Sequence, residues 1–487
     1  MSIVAVSGAL LYVLDLAIKV LALGLVPKNR RPSSGMAWLL VIMLVPVIGI
    51  IVFWMLGLTR LDRKRHERQR VLNDRVMANT QDLIAREEVG GALPPDAPAY
   101  LPSLVALNEN LGGLPVVAGN RIDFFGDYSG SIDAMAAEIG RATTFVHVEF
   151  YITACDRVTE GFFDALDAAV ARGVTVRLLL DHVGSRGIPG YDKLVERLDA
   201  SGIQWRPMLP IRPLKGEFRR PDLRNHRKIL VVDGLSAFTG SQNLIEPGYN
   251  KPKNHKAGRE WVELTCRVEG PLVNELDVVF ATDWNTETGE TLIDELAVIA
   301  PRAGDVAGQI IPSGPGVVAE NNLRAFTTLI YGARHRISLT SPYFVPDESL
   351  LYAVTTAAQR GVEVELFVSE EKDQFMVFHA QRSYYEALLR AGVRIHLYPR
   401  PAVLHSKHMS IDDDVALLGS SNMDMRSFAL NYEVSTLLFG GDVVARMRAV
   451  EDRYRELSRE LTLEDWLGRS RGAAYVDNVM RLTSALQ

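Results

Sequence analysis

Cysteine is almost absent from this chain of 487 residues: only Cys155 and Cys266 occur, with no C-x-x-C spacing. That excludes a disulfide scaffold and a zinc ribbon, and it fits a reducing compartment. No Walker-type phosphate loop is present, and the short "PSGPG" beginning at Pro312 reads as a turn. The net charge of -6 gives no global sign of nucleic-acid binding, so any basic site is local. What remains is a folded composition, 47% apolar and 23% charged, at a length that suggests two or three units.

The N-terminus departs from that average. Ile3 to Val26 is almost wholly apolar, and Met36 to Leu58 is apolar without a charge. At about 1.5 Å per helical residue, each is long enough to cross a hydrocarbon layer of about 30 Å. In the first segment Asp15 and Lys19 each oppose insertion, but acid before base at i,i+4 allows mutual neutralisation. An interfacial or re-entrant first segment is the alternative. A cleaved signal peptide is disfavoured, because no basic stretch precedes the apolar run. The connection carries Lys28, Arg30 and Arg31, whereas "RLDRKRHERQR" after the second segment carries Arg60, Arg63, Lys64, Arg65, Arg68 and Arg70. That asymmetry places everything beyond it in the cytoplasm. The same run suits anionic headgroups or a solvated helix face equally well.

"GGALPPDAPAYLP", Gly90 to Pro102, reads as a linker. Beyond it, helix and strand periods alternate, as in an α/β fold. "FVHVEFYI" reads as a buried strand, "FFDALDAAVARGVTVRLLLD" as helix, stop at Gly173 and strand, and "LVERLDASGIQWRP" repeats this with Gly202. The second half follows the same order: "RISLTSPYFVP" is a strand, and two helix–stop–strand units turn at Gly361 and Gly392. Two long copies indicate a duplication with a pseudo-twofold axis, rather than a solenoid.

Each half also carries one polar constellation. "NHRKILVVDGLSAFTGSQN" gives His226, Lys228, Asp233, Ser241 and Asn243; "LHSKHMSIDDDVALLGSSN" gives His405, Lys407, Asp412, Ser420 and Asn422, at identical internal intervals. Histidine and lysine two apart share one face of a strand, and the return strand brings serine and asparagine back beside them. A lone histidine is usually a satisfied core or surface residue. Two clusters with matching intervals argue instead for one shared site. Two lysines and two amides suit an anionic, oxygen-rich centre such as a phosphodiester. Two histidines can divide labour, one neutral and nucleophilic, the other a proton donor and then acceptor. This route needs neither metal nor cofactor, and no metal-ligand set surrounds His405 and His408.

The repeated H-x-K-x-x-x-x-D followed by G-S-x-N resembles the phospholipase D superfamily. Together with the two apolar segments, "TGSQNLIEP", "SPYFVPDESLL" and "GSSNMDMRSF", it resembles the bacterial cardiolipin synthases. The resemblance covers nearly the whole chain. It implies two phospholipase D-like α/β halves behind a helical membrane anchor, with His226, Lys228, Asn243, His405, Lys407 and Asn422 catalytic. It further implies His226 as nucleophile and His405 as acid and base. A carboxylate from the opposite half would orient each: Glu433 of "NYEVS" for His226 and Glu263 of "REWVEL" for His405. Glutamate at the Glu263 position departs from the commoner aspartate. Asp233 and Asp412 are expected to hold the hairpins, and Ser241 and Ser420 to accompany the asparagines.

The implied reaction transfers a phosphatidyl group between two phosphatidylglycerol molecules and releases glycerol, at a bacterial cell membrane and without nucleic acid. Arg219, Arg220, Arg224 and Arg227, just before or beside the first histidine, are expected to capture headgroups, with an ordinary solvated surface as the alternative. The proline-broken stretch Pro207 to Phe218 reads as either an interfacial or a packed loop. The expected units are an anchor over 1–58, a basic helical and Pro-rich segment over 59–114, and catalytic halves over 115–300 and 301–487. A membrane phospholipase D hydrolase, another phosphatidyltransferase and an inactive lipid-binding scaffold stay open as rivals. A nuclease is disfavoured, since an anchor does not help it reach soluble substrate.

Overall fold

A computed structural model of the protein describes residues 3–28, 32–54, 93, 97–112, 114–212, 217–218, 221–292, 295–297, 299–315 and 320–484. By contact the chain forms two units, Met1–Arg63 with Arg220–Asp222, and the remainder.

In the first unit a helix runs over Ile3–Leu25, and Lys19 donates to Asp15 at 2.8 Å one turn away, the expected neutralising pair. The second apolar segment is not one helix. It breaks between Pro32–Leu44 and Pro46–Val52, because Pro46 has no N–H to continue the ladder and Val45 leaves the helical region. A Cβ on Gly49 would lie 2.8 Å from the Ile42 Cα, so the two arms fold closely on each other, and Trp38 meets Phe53 edge-on at 5.4 Å. Among the described residues no helix is long and apolar enough to cross a membrane. The basic run over 60–70 and residues 90–92 and 94–96 of the expected linker lie outside the described residues.

The second unit is built on a single sheet of 15 strands. In chain order these are β1 (Val117–Phe125), β2 (Phe145–Phe150), β3 (Thr175–Asp181), β4 (Gln204–Met208), β5 (Lys228–Val232), β6 (Ser236–Gly240) and β7 (Thr265–Glu269) in the first lobe. The second lobe holds β8 (Val306–Ser313), β9 (Arg336–Thr340), β10 (Glu363–Ser369), β11 (Arg394–Tyr398), β12 (His408–Ile411), β13 (Val415–Gly419), β14 (Glu433–Phe439) and β15 (Arg459–Leu461). The spatial order is β15-β11-β10-β9-β12-β13-β14-β8-β1-β7-β6-β5-β2-β3-β4. Outward from the antiparallel pair β8 and β1, the two arms list equivalent strands in the same order, apart from the extra β15. The duplication read from the sequence is thus a pseudo-twofold whose seam falls inside the sheet.

Helices cover both faces, which is why β2 is buried along its whole length instead of alternating. Leu230 and Val232 join Phe162, Phe163 and Leu166 on one side of the first lobe. Ile229 and Val231, pointing the other way, meet Leu272, Val273 and Leu276. The helix-to-strand stops at Gly173, Gly361 and Gly392 have φ of +90°, +93° and +97°, and the next residue's N–H closes back onto the helix in each case. Gly202 does not share this conformation.

One element crosses the expected units. Leu101–Gly112, partly assigned to the linker, is a helix whose Leu101, Leu104 and Val105 pack into the second lobe's core, and Asn108 donates to Gln309 at 2.8 Å. Pro102 lies in the first turn of this helix, where its missing N–H costs nothing.

Each motif hairpin is fixed at its turn by its aspartate. Asp233 (φ +53°) and Gly234 (φ +68°) make a tight turn of the primed kind. The Asp233 carboxylate accepts from the Thr143 N–H, the Thr144 N–H and the Phe145 N–H at 2.8, 2.8 and 2.9 Å, and from both threonine hydroxyls. Those bonds hold the carboxyl below the usual carboxylate range despite partial burial. Asp412 accepts from the N–H groups of Arg334, His335 and Arg336 in the same way. Both aspartates therefore clamp the start of the neighbouring strand, β2 or β9, at the hairpin end away from the histidines. Replacing Asp233 with alanine strands these donors, and a loss of about 2–4 kcal/mol in denaturant unfolding is expected.

Candidate active site

The catalytic ends of the hairpins are set by backbone contact across the seam. Asn225 bridges Tyr432, and the His226 N–H donates to the Tyr432 carbonyl at 2.8 Å. Symmetrically, Val403 and Leu404 pair with Trp261 and Val262, and the His405 N–H donates to the Val262 carbonyl at 2.8 Å. Each histidine thus precedes its hairpin strand, in extended chain, rather than lying within it.

The same pairing delivers a carboxylate from the other lobe. Nδ1 of His226 lies 3.2 Å from Glu433 Oε1, and Nδ1 of His405 lies 2.7 Å from Glu263 Oε1. Both carboxylates are fully buried, whereas the imidazoles keep a small exposed edge of 17% and 12%. With Nδ1–H turned to the carboxylate, Nε2 of each ring is left to hold a lone pair or a proton.

Ser241 and Ser420 do not face outward as substrate ligands. Ser241 Oγ donates to Glu263 at 2.6 Å and Ser420 Oγ donates to Glu433 at 2.5 Å, so each serine locks the carboxylate that orients the other lobe's histidine. The glycine before each serine makes this possible. A Cβ on Gly240 would sit 2.3 Å from the Leu264 carbonyl, and one on Gly419 would sit 2.2 Å from that of Val434. Only a residue without a side chain lets the hairpin lie so close to the strand bearing the glutamate.

The lysines complete the centre. Lys228 and Lys407 are buried, and each donates to the carbonyl of its own histidine two residues earlier. Lys407 Nζ also lies 3.2 Å from His405 Nε2. Burial pushes the ammonium pKa of Lys228 down to about 8 and that of Lys407 to about 7, against the pull of Glu433 and Glu263. Burial likewise lowers His226 to about 4, opposed by Glu433, and lowers His405, opposed by Glu263. Glu263 and Glu433, one from each lobe, both act on Lys407, as a shared centre requires.

The asparagines are held differently. Asn243 Nδ2 donates to the Tyr249 hydroxyl at 2.8 Å, and its Oδ1 accepts from the Ile152 N–H at 3.2 Å. Asn422 is buried, with its Oδ1 lacking a hydrogen-bond partner. Asp233 and Asp412 stand at the far ends of the hairpins, apart from this centre.

Contrary to the expectation of headgroup capture, Arg224 and Arg227 face inward. Arg224 is 1% exposed and paired with Asp181 at 3.2 Å. Arg227 is ion-paired with Asp283, and its Nε donates to the Glu433 carbonyl at 3.0 Å. Alternation around His226 turns Arg227 into the protein, where it ties together the lobes. Arg219 and Arg220 lie outside the described residues. In Pro207 to Phe218, Met208 and Leu209 are buried and Ile211–Arg212 pairs with Glu217–Phe218.

Residue-pattern reasoning missed several groups. Tyr151 packs on His226 with ring centroids 4.1 Å apart, and Tyr343 approaches His405 edge-on at 6.0 Å. Their signal was the matched strand ends "FYI" and "PYF". Asn431 lies 3.3 Å from both His226 Nδ1 and Glu433 Oε1.

Two α/β lobes sharing one histidine–lysine–glutamate centre define a phospholipase D-like enzyme. The family model described as cardiolipin synthase, PLD-like domain, matches residues 135–284 and 326–454, and a phospholipase D-nuclease N-terminal model matches 16–57. The cardiolipin synthase A of Proteus mirabilis is 32% identical over 90% of both chains, and that of Yersinia pseudotuberculosis is 34% identical over the same shares. The cardiolipin synthase A of Pectobacterium carotovorum is 31% identical over 99% of this chain and 98% of its own. Among solved structures, phosphatidylserine synthase from Haemophilus influenzae superposes with a TM-score of 0.59 at 14% identity, covering 78% of this chain and 99% of that one. That likeness is one of fold. The chain belongs to the bacterial cardiolipin synthase family of the phospholipase D superfamily, a family of membrane-associated phosphatidyltransferases.

Two outcomes follow from this geometry. Glu433→Gln keeps the shape but removes the charge that orients and supports His226, and turnover should fall by about 10²-fold or more. Because the lysine charges are lost as pH rises through about 7 and 8, kcat/KM should decline on the alkaline side from near pH 7. A bound phosphodiester holds those protons, so the alkaline fall in kcat should come at higher pH than that in kcat/KM.

Proposed function

We propose that this protein is a cardiolipin synthase that works through a phosphatidyl-histidine intermediate on His226. Nε2 of His226 attacks the phosphorus of one phosphatidylglycerol, the bond to the headgroup oxygen breaks, and His405 gives its proton to the departing glycerol. A second phosphatidylglycerol then brings its headgroup hydroxyl, His405 takes the proton, the phosphorus–nitrogen bond breaks and cardiolipin leaves. Lys228, Lys407, Asn243 and Asn422 neutralise and grip the phosphoryl oxygens. Glu433 and Glu263 fix each ring and stabilise it when charged. Ser241 and Ser420 hold those carboxylates, and Asp233 and Asp412 brace the scaffold.

The observation that carries this reading is the crossed pairing, in which each lobe supplies the carboxylate for the other lobe's imidazole. The lowered pKa of His226 supports it further, because a nucleophilic imidazole must be neutral at working pH. The reading includes an N-terminal anchor over 1–58, a connecting segment over 59–114, and lobes divided at 300/301. It places the anchor in the bacterial cell membrane as a multi-pass element, with the catalytic body in the cytoplasm, and phosphatidylglycerol as the lipid partner.

Supplied with phosphatidylglycerol in liposomes, the purified full chain should yield cardiolipin and glycerol without added CTP. Phosphatidic acid as the dominant product would favour a hydrolase instead. His226→Ala should abolish both products.

A further inference from the structure

On the His405 side of the centre stands a carboxylate with no part in the scheme above. Asp373, four residues beyond β10, accepts the hydroxyl proton of Tyr343, whose ring lies 6.0 Å from that of His405. Gln374 Nε2 donates to the same Tyr343 hydroxyl at 3.0 Å, so the three groups form one fixed chain of donors and acceptors. Asp373 is half-buried and Gln374 exposed, so the chain runs from beside His405 to the protein surface.

The position is chemically odd for a site that binds an anion. Glu263 already serves as the partner of His405, and a second carboxylate near Lys407 opposes the approach of a phosphate. What a carboxylate does well beside a phosphoryl group is accept hydrogen bonds from hydroxyls. Tyr343 occupies one oxygen, and a carboxylate retains further acceptor capacity.

Among the described residues the first lobe shows no equivalent. There Tyr151 packs on His226, but the carboxylate at the end of its neighbouring strand, Asp181, is fully buried. It accepts from the N–H groups of Val183, Gly184 and Asn225 and pairs with Arg224. Among the differences between the two sides of the duplicated centre is this half-buried carboxylate on the His405 side.

We propose that Asp373, with Tyr343 and Gln374, is the subsite that recognises a polyol: the glycerol headgroup that departs in the first step and the one that arrives in the second. This rests on the transfer reading above, in which His405 exchanges its proton with both alcohols. A group that sorts alcohols must lie on that side. Asp373 is then a specificity-determining residue, favouring an acceptor with a second hydroxyl over a simple alcohol or water.

The test is a competition between acceptors. The full-length enzyme is given phosphatidylglycerol vesicles with equal concentrations of labelled glycerol and 1-propanol, and labelled phosphatidylglycerol, phosphatidylpropanol and phosphatidic acid are measured. Wild type should favour glycerol. Asp373→Asn should shift the glycerol-to-propanol product ratio toward propanol by about tenfold or more and raise the share of phosphatidic acid. Asp373→Glu should restore part of the preference. Should the asparagine variant fold poorly, Gln374→Ala and Tyr343→Phe read the same ratio. An unchanged ratio in folded Asp373→Asn, even with slower total turnover, would overturn the subsite. If wild type makes cardiolipin but takes up glycerol no better than propanol, the subsite fails alone; if it makes no cardiolipin, phosphatidylpropanol or labelled phosphatidylglycerol, the transfer reading itself fails, and the subsite with it.

Discussion

The bond between an imidazole of one lobe and a carboxylate of the other is the constraint on which the rest depends. Glu433 reaches His226 and Glu263 reaches His405, each across the seam between β8 and β1. Neither lobe contains a complete acid–base pair, so the duplicated chain makes one centre and not two. Much of the surrounding structure serves that crossing. The strand bridges at Asn225 and Val403 set its register, the Gly-Ser corners bring the carboxylates close, and Arg227 fastens the Glu433 backbone to the first lobe.

Burial then sets the chemistry. Taking two lysines and two histidines out of water disfavours their charged forms, and the buried glutamates only partly offset this. The resting centre consequently holds imidazoles biased to neutrality and ammonium groups close to losing their protons. A phosphodiester bound there opposes this bias, since its negative charge favours the protonated lysines and a protonated His405. Strain of this kind is kept where function needs it and lowers the stability of the empty site.

Much of this was legible in the residues. Matching intervals in "NHRKILVVDGLSAFTGSQN" and "LHSKHMSIDDDVALLGSSN" announced two copies of one hairpin, and helix–glycine–strand units announced the α/β lobes. Spacing alone did not give the burdens of individual side chains. The inward turn of Arg224 and Arg227 depends on which way an extended segment presents alternate residues, and that is fixed by the bridge at Asn225 far along the chain. Packing of Leu101–Gly112 into the second lobe is equally non-local, although its leucine spacing is helical. Pro46 interrupts an apolar run whose hydropathy is uniform, so a window of composition passes over it where backbone geometry does not. Asp373 and Tyr343 belong to no repeated interval and come together only in the folded chain.

Where a phosphatidyl group is held between the two proposed steps tests the crossed arrangement most directly. The decisive measurement is a rapid quench of the enzyme with phosphatidylglycerol, followed by peptide mapping of the acid-labile phosphoryl adduct. The crossed arrangement predicts a single adduct on His226, slow to form when Glu433 of the other lobe is replaced by glutamine. An adduct carried by His405, or formed at full rate in Glu433→Gln, would contradict it.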